Sequence, residues 1–450
     1  MKNIIITAII SLFVSIVHAQ APMIINGTTT DEFYQEVVLF EVVNGRTEPI
    51  AQSKVVNGKF AFKFFPTYEG FYVLGSTQTQ NNSARHIIYG KENEVLNIAI
   101  GGKSYQLSGK NSADNKDLER FQSMLDDMKE GIRLGGPITY VEFYPIVEKL
   151  EPQIAPFKTT SKNKAFLSNF EILRHYLFHY YALHFQYLPK RAHPDAEEII
   201  SFYKELDHQK FLNENLLILP FGDSFLMNLV IDAGQQKKYS IKQGENKAQN
   251  AIDFIPDTTI KGQYIVLLSN NFKSYDDYLR LVEPNRNYLT LADQEKRLNA
   301  KLVKLADSKP GDDFIDFTFP DIAGKQHSKK SLKGNIIVID FWATWCGPCK
   351  QEEPFYEKLA DNYRNKNVKF LAISTDKDKA AWEKYVNAKE SDLNIIHLHA
   401  SNKNILSDAY QINTIPRYMV IDANGKIVTT NSPRPSNVEL KNLIDKLIKQ

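Results

Sequence analysis

Cys346-Gly347-Pro348-Cys349 holds both cysteines of this 450-residue chain, with Trp345 before them and Lys350 after. Disulfides that staple a secreted fold are usually several and close long loops, whereas a two-residue loop constrains almost nothing. The spacing suits chemistry instead: a thiolate that attacks a substrate disulfide leaves a mixed disulfide, which a second nearby thiol resolves. A tetrahedral zinc site takes four ligands, and His327 and His397 lack the short paired spacing that would complete one. A haem attachment site needs His where Lys350 stands. The pattern predicts a redox-active dithiol that requires neither a metal nor an organic cofactor.

Flanking elements must place these thiols. Ile336-Ile337-Val338-Ile339 reads as a strand buried on both faces, and Cys349 to Leu359 has helical spacing, so the cysteines sit at a strand-to-helix turn. A helix N-terminus offers unpaired N–H groups and the positive end of its dipole, which stabilise a thiolate. Cys346, at or just before the first turn, gains most and is the expected nucleophile; Cys349, one turn in, is the shielded resolving thiol. Pro354 falls inside the helix, where it removes a hydrogen bond and is expected to kink it.

Asp340-Phe341-Trp342-Ala343-Thr344-Trp345-Cys346-Gly347-Pro348-Cys349-Lys350, with Pro354 beyond, closely resembles the thioredoxin active-site segment. The wider pattern is similar to the TlpA/ResA branch of periplasmic thiol–disulfide oxidoreductases. It comprises Gly311-Asp312-Asp313-Phe314, Phe317-Thr318-Phe319, a turn from Asp321 to Gly324-Lys325, Leu332-Lys333-Gly334, and Glu352 with Pro354. The likeness covers about residues 308–450 and implies an α/β thioredoxin fold, a central mixed sheet flanked by helices. It also implies roles. Asp340 matches the buried carboxylate beneath the cysteine pair, with a pKa raised by burial and a proton to exchange with Cys349. Thr414-Ile415-Pro416 matches the cis-proline loop that lies against the disulfide, Pro416 positioning an extended substrate. Trp345, Gly347, Pro348 and Ile415 would line the substrate site. Two departures stand out: Arg417 follows the proline where thioredoxins commonly have Thr, and no lysine is evident to pair with the buried Asp. Lys377 to Ala400 is longer than a minimal thioredoxin needs and reads as a charged helix around Trp382 and Tyr385, then a strand Ile395–Leu398, an insertion such as the branch carries.

Lys2, the apolar run Ile4 to Val17 and Val17-His18-Ala19 resemble a secretory signal peptide over residues 1–19, cleaved after Ala19. The run is short for a membrane span, and no Cys follows it for lipid anchoring. An exported, periplasmic protein without stable membrane insertion is expected. Fifty-five basic against 53 acidic residues give no electrostatic case for nucleic acid as a partner. With 43% hydrophobic residues the chain can bury two or three cores.

Residues 20–109 read as β-rich, with strand-like runs at Val37–Phe40, Phe60–Phe64, Phe71–Leu74 and Val95–Ile98 and hairpin turns at Asn44-Gly45 and Asn57-Gly58. An antiparallel β-sandwich-like domain is expected, resembling the β-domain that precedes thioredoxin domains in many exported Bacteroidetes proteins. Residues 110–307 have helical periodicity; Phe166, Phe170, Leu173, Leu177 and Tyr181 mark a helix buried on several sides, and His175 and His179 are read as packing histidines rather than ligands. Ser308-Lys309-Pro310-Gly311 is the expected linker to the thioredoxin-like domain, 308–450.

The resulting expectation is an exported disulfide reductase acting on other exported, disulfide-containing proteins, with apocytochrome c as one substrate class and a membrane thiol transporter as electron donor. Gly347-Pro348 is similar to reducing thioredoxins. Disulfide oxidation or isomerisation is the competing enzyme reading. A ligand-binding or stress-sensing protein that uses its thioredoxin domain for docking is the reading from another class.

Overall fold

The computed structural model describes residues 21–76, 85–101, 104–189, 191–240, 246–389, 394–401 and 403–449; the leader expected at 1–19 lies outside them. Eight strands among the described residues fill 23–107: β1 (Met23–Thr28), β2 (Glu36–Val43), β3 (Arg46–Lys54), β4 (Lys59–Phe64), β5 (Gly70–Gly75), β6 (His86–Gly90), β7 (Val95–Ile100) and β8 (Tyr105–Leu107). Asn44 and Gly45 both have positive φ, 46° and 85°, as a type I′ turn requires at its central positions, and they close the β2–β3 hairpin. Asn57 and Gly58 turn the chain in the same way, but β3 and β4 fall in different sheets. The sheets run β4-β1-β7-β8 and β3-β2-β5-β6. One core draws on both, with Ile25 of β1, Leu39 of β2, Phe62 of β4, Leu74 of β5 and Ile98 of β7. The expectation of purely antiparallel pairing fails at one place: β1 and β7 run parallel. A parallel pair needs a long crossover, and β2 to β6 supply it, which no local sequence signal announces.

The chain divides into two compact units, Met1–Ser240 and Ile241–Gln450, so the boundaries expected at 109/110 and 307/308 fall inside units rather than between them. Long-range side-chain hydrogen bonds explain the first. The helix Ala113–Met124 lies along edge strand β6: Asn115 accepts from the Tyr89 N–H and donates to its carbonyl, both at 2.9 Å, and Gln122 does the same for Ile87. Farther on, the helix Lys164–Gln186 buries Phe166, Phe170, Leu173, Leu177 and Tyr181, and also Tyr176, Phe178 and Tyr180. His179 Nδ1 bonds the His175 carbonyl at 2.7 Å, and its ring packs on Phe211.

The second unit opens with helices Lys247–Phe254, Thr258–Leu268, Tyr275–Leu281 and Ala292–Leu305. A two-stranded β9 (Thr318–Pro320) and β10 (Gln326–Ser328) follows. Then come β11 (Ile336–Trp342), β12 (Val368–Ser374), β13 (Ile395–His399), β14 (Arg417–Ile421) and β15 (Ile427–Thr429), arranged β13-β12-β11-β14-β15. β11, β12 and β13 are parallel and β14 runs antiparallel to β11. Every residue of β11 is buried, as its uninterrupted apolar run requires: Ile337, Ile339 and Phe341 enter one core, and Ile336 and Val338 enter another with Tyr356, Leu359, Leu440 and Ile444 of the covering helices Gly347–Asn362 and Val438–Ile448. This is the mixed sheet between helices of the thioredoxin fold. Among the described residues no helix is long and apolar enough to cross a membrane.

Candidate active site

Strand β11 ends at Trp342, and four residues later Cys346 is the N-cap of the helix Gly347–Asn362, with Pro348 in the first turn and Pro354 inside. Proline fits the first turn because its missing N–H has no helical acceptor there. Cys346 and Cys349 are joined in a disulfide with Cα atoms 5.3 Å apart. The Cys349 N–H points at Cys346 Sγ, 3.2 Å away, so a thiolate at Cys346 would meet a main-chain donor and the positive helix end together. Exposure does not separate the thiols: Cys346 is 4% and Cys349 2% accessible. Approach does. A Cβ built on Gly347 would meet nothing within 4 Å, and Trp345 is 72% exposed, so open surface adjoins Cys346.

The loop leading to the cysteines is pinned by a residue that sequence reasoning missed. Asp376, buried just past β12, accepts from the Thr344 N–H and hydroxyl at 2.9 and 2.8 Å and from the Ser374 hydroxyl at 2.7 Å. A carboxylate two residues after an apolar strand was the only available signal. On the other flank the Ile415–Pro416 bond is cis, and Ile415 packs against the buried cluster that contains Trp342, Ala343, Cys346 and Cys349. The structure thus brings Cys346, Cys349, Ile415 and Pro416 together. The insertion forms a helix, Lys379–Asn387, whose Trp382 is buried in the same cluster.

Asp340 lies beneath, 5% exposed, its Oδ1 without a hydrogen-bond partner. Burial, reinforced by the negative charges of Glu353 and Glu352, holds its carboxyl well above the usual carboxylate range. In register its neighbours are Tyr418 on β14 and Ala372 on β12, so an alanine methyl, not a lysine, faces it from β12. Glu352, one of the motif residues, points elsewhere: it accepts from the Ser436 hydroxyl and N–H at 2.9 and 3.1 Å. Its neighbour Glu353 takes a hydrogen bond from the Tyr385 hydroxyl and an ion pair from Lys389.

Arg417, the residue after the cis-proline, is 2% exposed. Its guanidinium donates to the carbonyls of Thr430 and Lys273 at 2.5 and 2.6 Å, and burial pulls its pKa down to about 10, with Asp277 acting the other way. Asn431 Nδ2 reaches Asp277 at 3.3 Å, Gln411 reaches the Lys304 carbonyl at 2.5 Å, and the Tyr275 N–H bonds Ser308 Oγ at 2.8 Å. These bonds carry the unit back across the boundary expected at 307. Arg417→Ala leaves two carbonyls without their charged donor and is expected to cost about 2–4 kcal/mol, read as an earlier urea midpoint at unchanged slope.

The family described as Redoxin matches residues 309–447. The thiol-disulfide oxidoreductase ResA of Bacillus anthracis is 28% identical over 137 residues, 30% of this chain and 78% of that protein. ResA of Bacillus subtilis (strain 168) is 29% identical over 118 residues, 26% of this chain and 64% of that protein. A crystal structure from Bacteroides vulgatus, of a protein proposed to be a thiol-disulfide oxidoreductase, is 39% identical and covers 32% of this chain and 99% of its own, with a TM-score of 0.30. Through residues 309–447, which carry the Cys346–Cys349 pair, this chain belongs to the TlpA/ResA-like branch of the thioredoxin superfamily and is a thiol–disulfide redox enzyme.

Proposed function

We propose that the enzyme reduces disulfides in other exported proteins. One observation carries the reading: Cys346 caps a helix with its sulfur facing the Cys349 N–H, beside a cis-proline loop and above a buried Asp340. In the forward direction the Cys346 thiolate attacks one sulfur of a substrate disulfide and the other sulfur leaves as a thiolate. The Cys349 thiol then gives its proton to the Asp340 carboxylate and attacks Cys346 Sγ. The second substrate thiolate departs and the Cys346–Cys349 disulfide forms, two electrons having passed to the substrate. A carboxylate raised by burial suits this task, because a base works best when its pKa approaches that of the acid it serves. Trp345, Gly347, Pro348, Ile415 and Pro416 hold the substrate chain against Cys346.

The leader-like residues 1–19 support export to a periplasm, and a membrane thiol transporter would return the two electrons. Apocytochrome c is one substrate class that the resemblance implies. Residues 20–109, whose two sheets share a core, are read as a sandwich-like accessory region, and 110–307 as a helical region, with the task of binding or positioning what the dithiol reduces. Net direction is tested by the redox potential of the full chain equilibrated in thiol buffers. Gly347-Pro348 between the cysteines favours a value near about −270 mV rather than about −120 mV, and coupled insulin reduction should accompany it. A potential at the oxidising end would assign the protein to disulfide formation.

A further inference from the structure

Asp340, Ala372 and His397 stand in one row across the sheet, each in register with the next, so their side chains share a face. The alanine between carboxyl and imidazole leaves a cavity of about 10 Å³, roofed by Cys349 and Glu353 of the covering helix and flanked by Trp342. Three polar atoms at this cavity are buried without a hydrogen-bond partner: Asp340 Oδ1, Trp342 Nε1 and His397 Nδ1. Buried polar atoms are rarely left unpaired, and one water needs about 10–15 Å³ and two to four polar partners. Volume and partners match a single water.

We propose that His397 is a relay residue acting through Asp340. On this inference, which rests on Asp340 being the base for Cys349, one water bonded to Asp340 Oδ1, His397 Nδ1 and Trp342 Nε1 carries the proton from the carboxyl to the imidazole. The ring takes it at Nδ1 and releases one from Nε2 toward solvent, returning as the other tautomer. The proton that Cys349 loses is thereby accounted for, and no electrons move in this step. Tyr418 of β14 faces the Asp340 carboxyl in register but does not line the cavity, and the other titratable groups facing the ring are committed elsewhere. Glu353 and Glu357 both pair with Lys389, and the Tyr356 hydroxyl donates to main-chain carbonyls of Val338 and Leu371. Burial, with Lys389 adding to it and Glu353 opposing, pulls the imidazole down to about 4. It is therefore neutral at pH 7, the form that can both accept and donate.

Stopped-flow reaction of the reduced full-length protein with 5,5′-dithiobis(2-nitrobenzoate) reads each step, because attack by Cys346 releases one thionitrobenzoate and resolution by Cys349 releases the second. His397→Leu should leave the first phase unchanged and slow the second about tenfold at pH 7. The deficit should shrink toward pH 9, where hydroxide deprotonates Cys349 directly; His397→Asn, which keeps a polar group near Nδ1 without the tautomer exchange, should remain slow. Asp340→Asn is run in parallel. A slow second phase in Asp340→Asn with a normal one in His397→Leu overturns the relay and leaves the Asp340 reading intact. A normal second phase in both overturns the two together. Equal slowing of both phases in His397→Leu, or a deficit that does not change with pH, shows a structural role only and also overturns the relay.

Discussion

Cys349→Ser is expected to accumulate mixed disulfides with its substrates, and Cys346→Ser to accumulate almost none while losing essentially all thiol–disulfide exchange activity. The asymmetry follows from the helix start. Cys346 is the N-cap residue and faces a main-chain N–H, whereas Cys349 lies within the first turn of the same helix. With Ser at 349 the attack still occurs, but no second thiol displaces the substrate, so the covalent adduct persists until reductant is added. With Ser at 346 the remaining thiol lacks both the open approach beside Gly347 and the capping donor. Non-reducing electrophoresis of the two variants incubated with an exported protein fraction gives the readout. Equal trapping by both would reverse the assignment of nucleophile and resolver.

Asp340→Asn has two expected effects of opposite value. Resolution of the mixed disulfide slows about a hundredfold, the lower range for losing a positioned base, while attack by Cys346 continues. Stability moves the other way. A carboxyl whose folded-state pKa is raised contributes stability that is fully present below its unfolded pKa and is lost as pH rises through the folded one, since the native state then holds more protons than the unfolded chain. Asparagine does not ionise, so the oxidised variant should match the parent near pH 3 and exceed it at pH 8. An advantage of about 1 kcal/mol would raise the melting temperature by about 2–4 °C in a unit of this length. Scanning calorimetry at both pH values decides it: an Asn variant less stable than its parent at pH 8 would show that Asp340 is ionised and paired in the native state.

What sequence made legible was local. The apolar run of β11 is buried throughout, the cysteines occupy the strand-to-helix turn that their neighbours imply, and the positive φ of Asn44-Gly45 and Asn57-Gly58 follows from residue type alone. Ile415-Pro416 and Asp340 were found through a family resemblance, not through spacing. What stayed hidden depends on partners far along the chain. Nothing near Asn115 or Gln122 announces that their amides will satisfy the main chain of β6, and nothing near Arg417 announces the Lys273 carbonyl, 144 residues away. His397 entered the sequence reading only as a rejected zinc ligand; register sets it two strands from Asp340 with only a methyl between them.

Arg417 bears on how this enzyme can have been assembled by gene recombination. A crossover at Pro310-Gly311, where sequence alone placed a linker, would deliver the sheet and both cysteines but exchange the Lys273 carbonyl, Asp277 and the Lys304 carbonyl for whatever the new neighbour offers. The buried guanidinium next to the cis-proline would then lack one of its two acceptors, an arrangement that costs more than an absent hydrogen bond because the charge stays desolvated. A transfer that keeps all of these bonds must therefore include the chain from Lys273 onward, and the compact unit that contains it begins near residue 241. Chimeras joined near residue 246 should keep a functional cis-proline loop, whereas those joined at 308 should first need a smaller neutral residue at 417.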